Sequence, residues 1–430
     1  MDKRIEAALE RRRERLAAAW DLNDELALVF AGEPIGIPGG ADQQYPFRAH
    51  PEYFYLTDRN QPGGVLAFDS QDGWRDFTPQ VSEAERVWEG RGESDGEPLT
   101  LLEGWLAARR GRPLITLGAG PAAIRSDPQG TKRLRDALTH VRRPKDDVEL
   151  ERIRASVAAT AGGFEAARRF IRAGVSEREI QIELEAGFFR AGADATAYST
   201  IVGVGTNAAV LHFTPTARRA REGDLALIDA GAETRRYAAD VTRTYSVGAL
   251  SGARRELYEI VLSAQVRAVE ACVVGAEWRD VHLRAALDLA EGLAQMGVLR
   301  GAADALVEQD AHALFFPHGI GHMLGLGVRD AGGYLAGRKR STRPGLSTLR
   351  MDLPLEAGYV VTVEPGLYFI PALLNDPARR DKHADAVHWG KVDSLLDIGG
   401  VRIEDNVLVT PEGPQTLTSA ISKRVDRSSE

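Results

Sequence analysis

Ile5, Leu9 and Leu16 recur at helical spacing through an arginine-rich opening and predict an amphipathic helix over residues 1–20. Asp2, Glu6, Glu10 and Glu14 interleave with the basic residues there, which separates the segment from a transit peptide, a type poor in acids. Leu26–Phe30 and Gly64–Phe68 are short apolar runs bounded by glycine, proline or aspartate, the pattern of strands with turns. Leu101–Arg109 and Lys132–His140 read as helices, so residues 21–140 are mixed α/β. The stretch 142–147 is charged, proline-broken and non-periodic. The domain boundary is placed there, giving domains 1–145 and 146–430.

Past the boundary the period lengthens. Leu150, Ile153, Val157, Ala161 and Phe164 mark a long helix, with Gly174 as a stop. Ser176 and Glu179 form a capping box ahead of a helix over Glu177–Arg190. Further helices are predicted at Ala253–Val273 and Trp278–Met296, and strands at Leu225–Gly231, Tyr237–Val247, Tyr359–Glu364 and Gly400–Val409. Helices mixed with hairpins, without a repeating βαβ unit, predict an α+β fold. The longest apolar stretch, Tyr359–Leu374, contains Glu364 and two prolines and is no membrane span.

Composition narrows the function. A chain of 430 residues, 43% hydrophobic and 27% charged, has apolar surface enough for packed domains, which excludes disorder as its main state. A net charge of −8 argues against nucleic acid and anionic membranes as partners. Cys272 is the single cysteine, so neither an internal disulfide nor a thiolate metal cluster can form, and a reducing cytoplasm is the expected location.

Four carboxylates stand out against apolar strands. If the hairpin 225–244 is symmetric about Thr234–Arg235, Asp229 lies directly opposite Asp240, and two such close carboxylates need a proton or a cation between them. Two exposed turn-flanking aspartates are the plain alternative. Glu364, on a strand that Pro365 ends, is a poor structural choice without a partner. Glu404 shares a face with Arg402, and a simple ion pair between them is the plain alternative. His318 and His322 are four apart, but two intervening glycines and the missing glutamate exclude the helical zinc motif. His212 closes an apolar strand in Val-Leu-His-Phe-Thr and is kept as a candidate. Asp229, Asp240, Glu364, Glu404 and His322 together offer hard oxygen donors and one nitrogen. That set suits Mn²⁺ first and also Co²⁺ or Zn²⁺, and four negative charges neutralise two dications.

These motifs, with His318-Gly-Ile-Gly-His322, Thr362-Val-Glu-Pro-Gly and Val401-Arg-Ile-Glu-Asp in order, resemble the M24-type metallopeptidases, the superfamily of methionine aminopeptidase, aminopeptidase P and prolidase. The resemblance spans about residues 145–425 and more weakly Arg48–Thr57. It implies a pita-bread catalytic domain over 146–430 behind a creatinase-N-like domain over 1–145. Pro344–Arg350, Thr362–Ile370 and the insert beginning Asp376-Pro-Ala-Arg are most similar to prolidase. By that similarity Asp229 holds the first metal, His322 and Glu364 the second, and Asp240 and Glu404 bridge both. Glu364 accepts the proton of the attacking water, and His318 contacts the scissile carbonyl. Arg350, assisted by His212, takes the substrate's carboxylate. Arg402 supports Glu404, and Tyr198 lies near the first metal. Where the family carries an active-site histidine this chain has Arg329, which cannot exchange a proton at neutral pH. Arg329 is expected to supplement substrate binding and narrow the enzyme to short substrates.

The expected activity is hydrolysis of Xaa-Pro dipeptides by a hydroxide that bridges two metals. Peptides with proline second are the expected substrates, and a homodimer the expected assembly. The nearest alternative is an aminopeptidase P acting on longer Xaa-Pro peptides. A metal-free binding protein on the same scaffold and a creatinase-like hydrolase are disfavoured, because all five ligands are present.

Overall fold

In the computed structural model, which describes residues 2–92, 95–121, 124, 126–250 and 252–426, the opening helix runs Lys3–Trp20. Met1, part of the predicted span, lies outside the described residues. Asp2 caps the helix by accepting from the Arg4 N–H, and Asp21 ends it at φ 48°. Leu9, Leu16 and Trp20 are buried, and Trp20 Nε1 donates to Leu134 O on the helix Pro128–Arg142.

The chain divides into two compact units, Met1–Arg142 and Arg143–Glu430. The first holds a five-stranded sheet in the order Glu97–Pro98, Gly73–Thr78, Val65–Asp69, Leu26–Phe30, Leu114–Gly118. Leu28, Phe30, Val65, Phe77 and Trp105 form the core on it. The predicted helix over 101–109 forms as Leu101–Ala107. The helix Pro51–Thr57 had no signal, because every residue from Glu52 to Thr57 is buried and no polar stripe marks its period.

In the second unit Asp146 and Glu149 form a capping box for the helix Asp147–Phe170, and the predicted Ser176–Glu179 box starts Glu177–Arg190. Helices Gly252–Glu270 and Trp278–Gln295 pack on the largest apolar core. One three-stranded sheet runs Val241–Ser246, Leu225–Ala230, Ile201–Val204. Another runs Val360–Val363, Asp405–Thr410, Gly413–Thr416, beside a pair Gly366–Tyr368 and Gly400–Arg402.

The α+β class is borne out, with one change that matters for the site. The strand predicted over Gly400–Val409 is broken in two, while the one predicted over Tyr359–Glu364 stops before Pro365 as expected and a new short strand follows it. Pro365 separates Val360–Val363 from Gly366–Tyr368, and Ile403 with Glu404 separates Gly400–Arg402 from Asp405–Thr410. Glu364 and Glu404 therefore stand at corners where the chain changes sheet. Among the described residues no helix is long and apolar enough to cross a membrane.

Candidate active site

The predicted hairpin exists in a different register. Arg235 and Arg236 make its turn, with φ of 49° and 72°, and Thr242 rather than Asp240 lies opposite Asp229. The two positive φ values give the two-residue turn normally marked by Asn-Gly, a signal absent here. The shift moves the pairing by two positions, so Asp229 and Asp240 keep a common face but become diagonal neighbours. Tyr198 closes the gap: its hydroxyl lies 2.6 Å from Asp229 Oδ1 and also hydrogen-bonds Asp240 Oδ1. Asn406 fixes Asp240 from behind, its Oδ1 accepting from the Asp240 N–H at 3.1 Å and its amide donating to Asp240 O.

The two histidines sit on an extended loop, in keeping with the rejection of a helical motif. Thr362 N donates to His322 O and Glu364 N to Ile320 O, so the loop runs along the strand Val360–Val363 and the Glu364 corner after it. Gly321 permits this approach, since a Cβ there would stand 2.0 Å from Thr362 O. His322 Nε2 is 3.3 Å from Asp240 Oδ2 and 3.8 Å from Glu364 Oε1. Ligand atoms of Asp240, His322 and Glu404 all lie within 4.8 Å of one another. Glu404 accepts from Thr242 Oγ1 at 2.7 Å.

Arg402 makes no direct pair with Glu404, against the plain reading, and reaches it through Thr242, whose hydroxyl accepts from Arg402 and donates to Glu404. Arg402 donates to Asp229 Oδ2 at 2.6 Å, Tyr368 hydroxyl at 2.8 Å and Thr242 Oγ1 at 3.0 Å. Tyr368 in turn lies 2.8 Å from His318 Nε2, while His318 Nδ1 lies 2.9 Å from Gly319 O. A carbonyl only accepts, so Nδ1 carries the proton and Nε2 accepts from Tyr368. Both ring nitrogens of His318 are thus engaged within the protein.

Burial drives the electrostatics. It pushes Glu364 up to about 7, with Asp240 and Asp229 adding to the shift against His322 and Arg402. Burial and the neighbouring Asp240 raise Asp229 and Glu404 as well. Burial, then Arg402, lowers His318 to about 3, so the ring is neutral. Burial alone would lower His322, but its hydrogen bond to Asp240 and the charges of Asp240 and Glu364 raise it. A buried carboxylate cluster short of positive charge, with an imidazole at its edge, is what divalent cations require, and the residues present fit them.

Tyr198, Asp229, Asp240, His318, His322, Glu364, Arg402 and Glu404 line one cavity of about 1020 Å³. Arg350, Arg329 and His212 line it too. His212, however, occupies an exposed turn after the short helix Gly205–Ala209 and not the predicted strand. Sequence reasoning missed Tyr368, Thr242 and Asn406. Tyr368 lay within a quoted motif, but nothing marked the other two.

Residues 151–411 match the family described as metallopeptidase family M24, and residues 9–99 match the aminopeptidase P N-terminal domain. A probable Xaa-Pro aminopeptidase of Tuber melanosporum is 32% identical over 90% of this chain and 87% of its own length. One of Aspergillus fumigatus is 32% identical over 90% and 88%. Among solved structures, Pseudomonas aeruginosa aminopeptidase PepP matches at 28% identity and a TM-score of 0.79, covering 97% of this chain and 96% of that one. Escherichia coli aminopeptidase P with the inhibitor Pro-Leu matches at 27% and 0.79 with the same coverage. Relatives named for aminopeptidase P and not for prolidase favour the alternative over the dipeptidase expectation. The chain belongs to metallopeptidase family M24, with an aminopeptidase P N-terminal domain ahead of a pita-bread catalytic domain that carries the Asp240, His322 and Glu404 cluster.

Proposed function

We propose that the chain is an Xaa-Pro aminopeptidase that releases the first residue from peptides of three or more residues with proline second. Convergence of Asp229, Asp240, His322, Glu364 and Glu404 on one cavity is the observation that carries this reading. The cavity of about 1020 Å³ leaves room for substrates longer than a dipeptide. The names of the relatives point the same way.

Asp229 and Asp240 on one side and His322 and Glu364 on the other would hold two divalent cations, with Asp240 and Glu404 shared and Mn²⁺ the first choice. When bound, such ions supply Lewis acidity and make a water acidic enough to ionise near neutrality. Glu364 is the group placed to take a proton from the attacking water and return it to the proline nitrogen, with Oε2 4.0 Å from His318 Nδ1. Arg402 anchors Tyr368, and Tyr368 orients a neutral His318 toward the scissile carbonyl. An oxyanion contact from His318 requires it to give up one of its present hydrogen bonds. Arg350 is the cation for a substrate carboxylate, as its planar fork suits bidentate pairing. The homodimer and the cytoplasmic location remain part of this proposal, the latter supported by the single, buried Cys272.

Hydrolysis of Ala-Pro and Ala-Pro-Ala by the metal-loaded protein tests the reading. Faster release of alanine from the tripeptide is expected. Cleavage confined to the dipeptide would restore the prolidase reading, and cleavage of neither would remove both.

A further inference from the structure

The segment 338–350 carries four arginines, and they divide cleanly. Arg338 is held by Glu277 at 2.6 Å and Asp352 at 3.0 Å, and Arg343 by Asp310 at 3.1 Å. Arg340 and Arg350 have no carboxylate partner among the described residues, and both are exposed where they line the catalytic cavity. Arg329, in the place of the family's histidine, is likewise exposed, without a carboxylate partner, and on the same cavity.

Arg340 rests on a ring, and the chain beside Arg350 and Arg329 is pinned. Arg340 lies over the Tyr334 ring at 5.8 Å, and the Tyr334 hydroxyl donates to Leu349 O at 2.9 Å, tying that platform to the residue before Arg350. Beside Arg329, Asp330 is locked by a fully buried Lys145 at 2.8 Å and accepts from Leu326 N. The guanidinium groups are close enough to repel: after burial, Arg329 and then Arg340 lower Arg350, against the pull of Glu364. Unpaired like charges gathered at the mouth of a cleft focus its field and draw in the opposite charge.

We propose that Arg329, Arg340 and Arg350 form an anion subsite that makes peptides with a carboxylate just after the proline the preferred substrates. This rests on the Xaa-Pro peptidase reading above and adds the substrate class. The carboxylate has two sources, an Asp or Glu side chain or the free end of a tripeptide. Arginine forks on exposed ground discriminate through the entry and holding of substrate, so the effect belongs in KM. It weakens with salt.

The test compares Ala-Pro-Asp-amide with Ala-Pro-Asn-amide, and Ala-Pro-Ala with its amide, on metal-loaded enzyme. A preference of about tenfold in kcat/KM for the acid of each pair is expected, carried by KM and shrinking as salt rises. The first pair reads a side-chain carboxylate and the second a chain end. R340E, an exposed change, should shift the preference at that position from Asp toward Lys. Cleavage of all four peptides at equal efficiency overturns the subsite and leaves the peptidase reading intact. If no peptide is cut, the peptidase reading falls, and calorimetric binding of the Asp and Asn peptides decides the subsite: equal affinity overturns it, tighter binding of Asp supports it.

Discussion

Glu404 and Asp405 are consecutive at one strand corner, and both are almost fully buried, yet they keep opposite company. Asp405 accepts from Arg243 at 2.8 Å, Thr418 at 2.7 Å and Gln265 at 2.9 Å, and Lys423 stands 2.5 Å away. Against the burial that would raise it, Arg243 and Lys423 hold its carboxyl far below the usual range. Glu404 receives one hydroxyl, from Thr242, and faces three further carboxylates. Arg402, the cation set among them, hydrogen-bonds only Asp229 of the four. One acid is neutralised by the protein itself, so it holds the fold. The other is left short of positive charge, and burial on those terms is tolerable only if a proton or a cation from outside neutralises it. Two residues apart by a single peptide bond thus divide structure from function.

The comparison can be broken from either side. The largest effect is expected on the reactive side: Glu364→Gln should lower kcat by about 10²–10⁴-fold, the usual contribution of a proton acceptor. The chelated protein should melt no lower, because a charge is removed from a repelling group. A steady-state assay with a parallel melt checks both, and a normal kcat would deny Glu364 its role. On the structural side Arg243→Met should destabilise by about 3–5 kcal/mol, the cost of leaving a buried charge behind. Urea unfolding would show it, and a change under 1 kcal/mol would mean that Lys423 alone suffices.

Glu364 and Glu404 were legible in the sequence because a carboxylate on an otherwise apolar strand is conspicuous, and Ser176 with Glu179 because a capping box is local. The hairpin register was not, since Arg235 and Arg236 adopt left-handed backbone without the residues that advertise it. Thr242 and Asn406 were invisible for another reason. They reach Glu404 and Asp240 across 162 and 166 residues of chain, and a threonine or asparagine carries no mark of so distant a partner. The corner that parts Glu404 from Asp405 was read as continuous strand, because Ile403 keeps the alternation going through the break.

Smaller effects sharpen the contrast. Adding Mn²⁺ at about 100 times its dissociation constant should stabilise the chelated protein by about 2.7 kcal/mol, and Glu404→Gln should lose most of that gain. A thermal melt with and without the ion reads it, and an unchanged gain in the variant would exclude Glu404 as a ligand. Asp69, in the first unit, extends the compensated class. Burial would raise it, but Arg112, the Gln71 N–H and Arg109 bring it down to about 2. Its folded value lies below the unfolded value of about 3.9, so its contribution is present above pH 4 and lost as pH falls toward 2. Asp69→Asn should cost about 2 kcal/mol at pH 7 and well under 1 kcal/mol at pH 2. An equal cost at both pH values would contradict the pairing.

The most direct measurement is release of alanine from Ala-Pro-Ala by exhaustively chelated protein as Mn²⁺ is returned in steps, with bound metal counted at each. Activity should begin near zero and climb to a plateau at about two ions per chain, while the fold stays intact throughout. Cleavage at full rate before any ion is returned would show that the uncompensated carboxylates around Glu404 are not a metal centre.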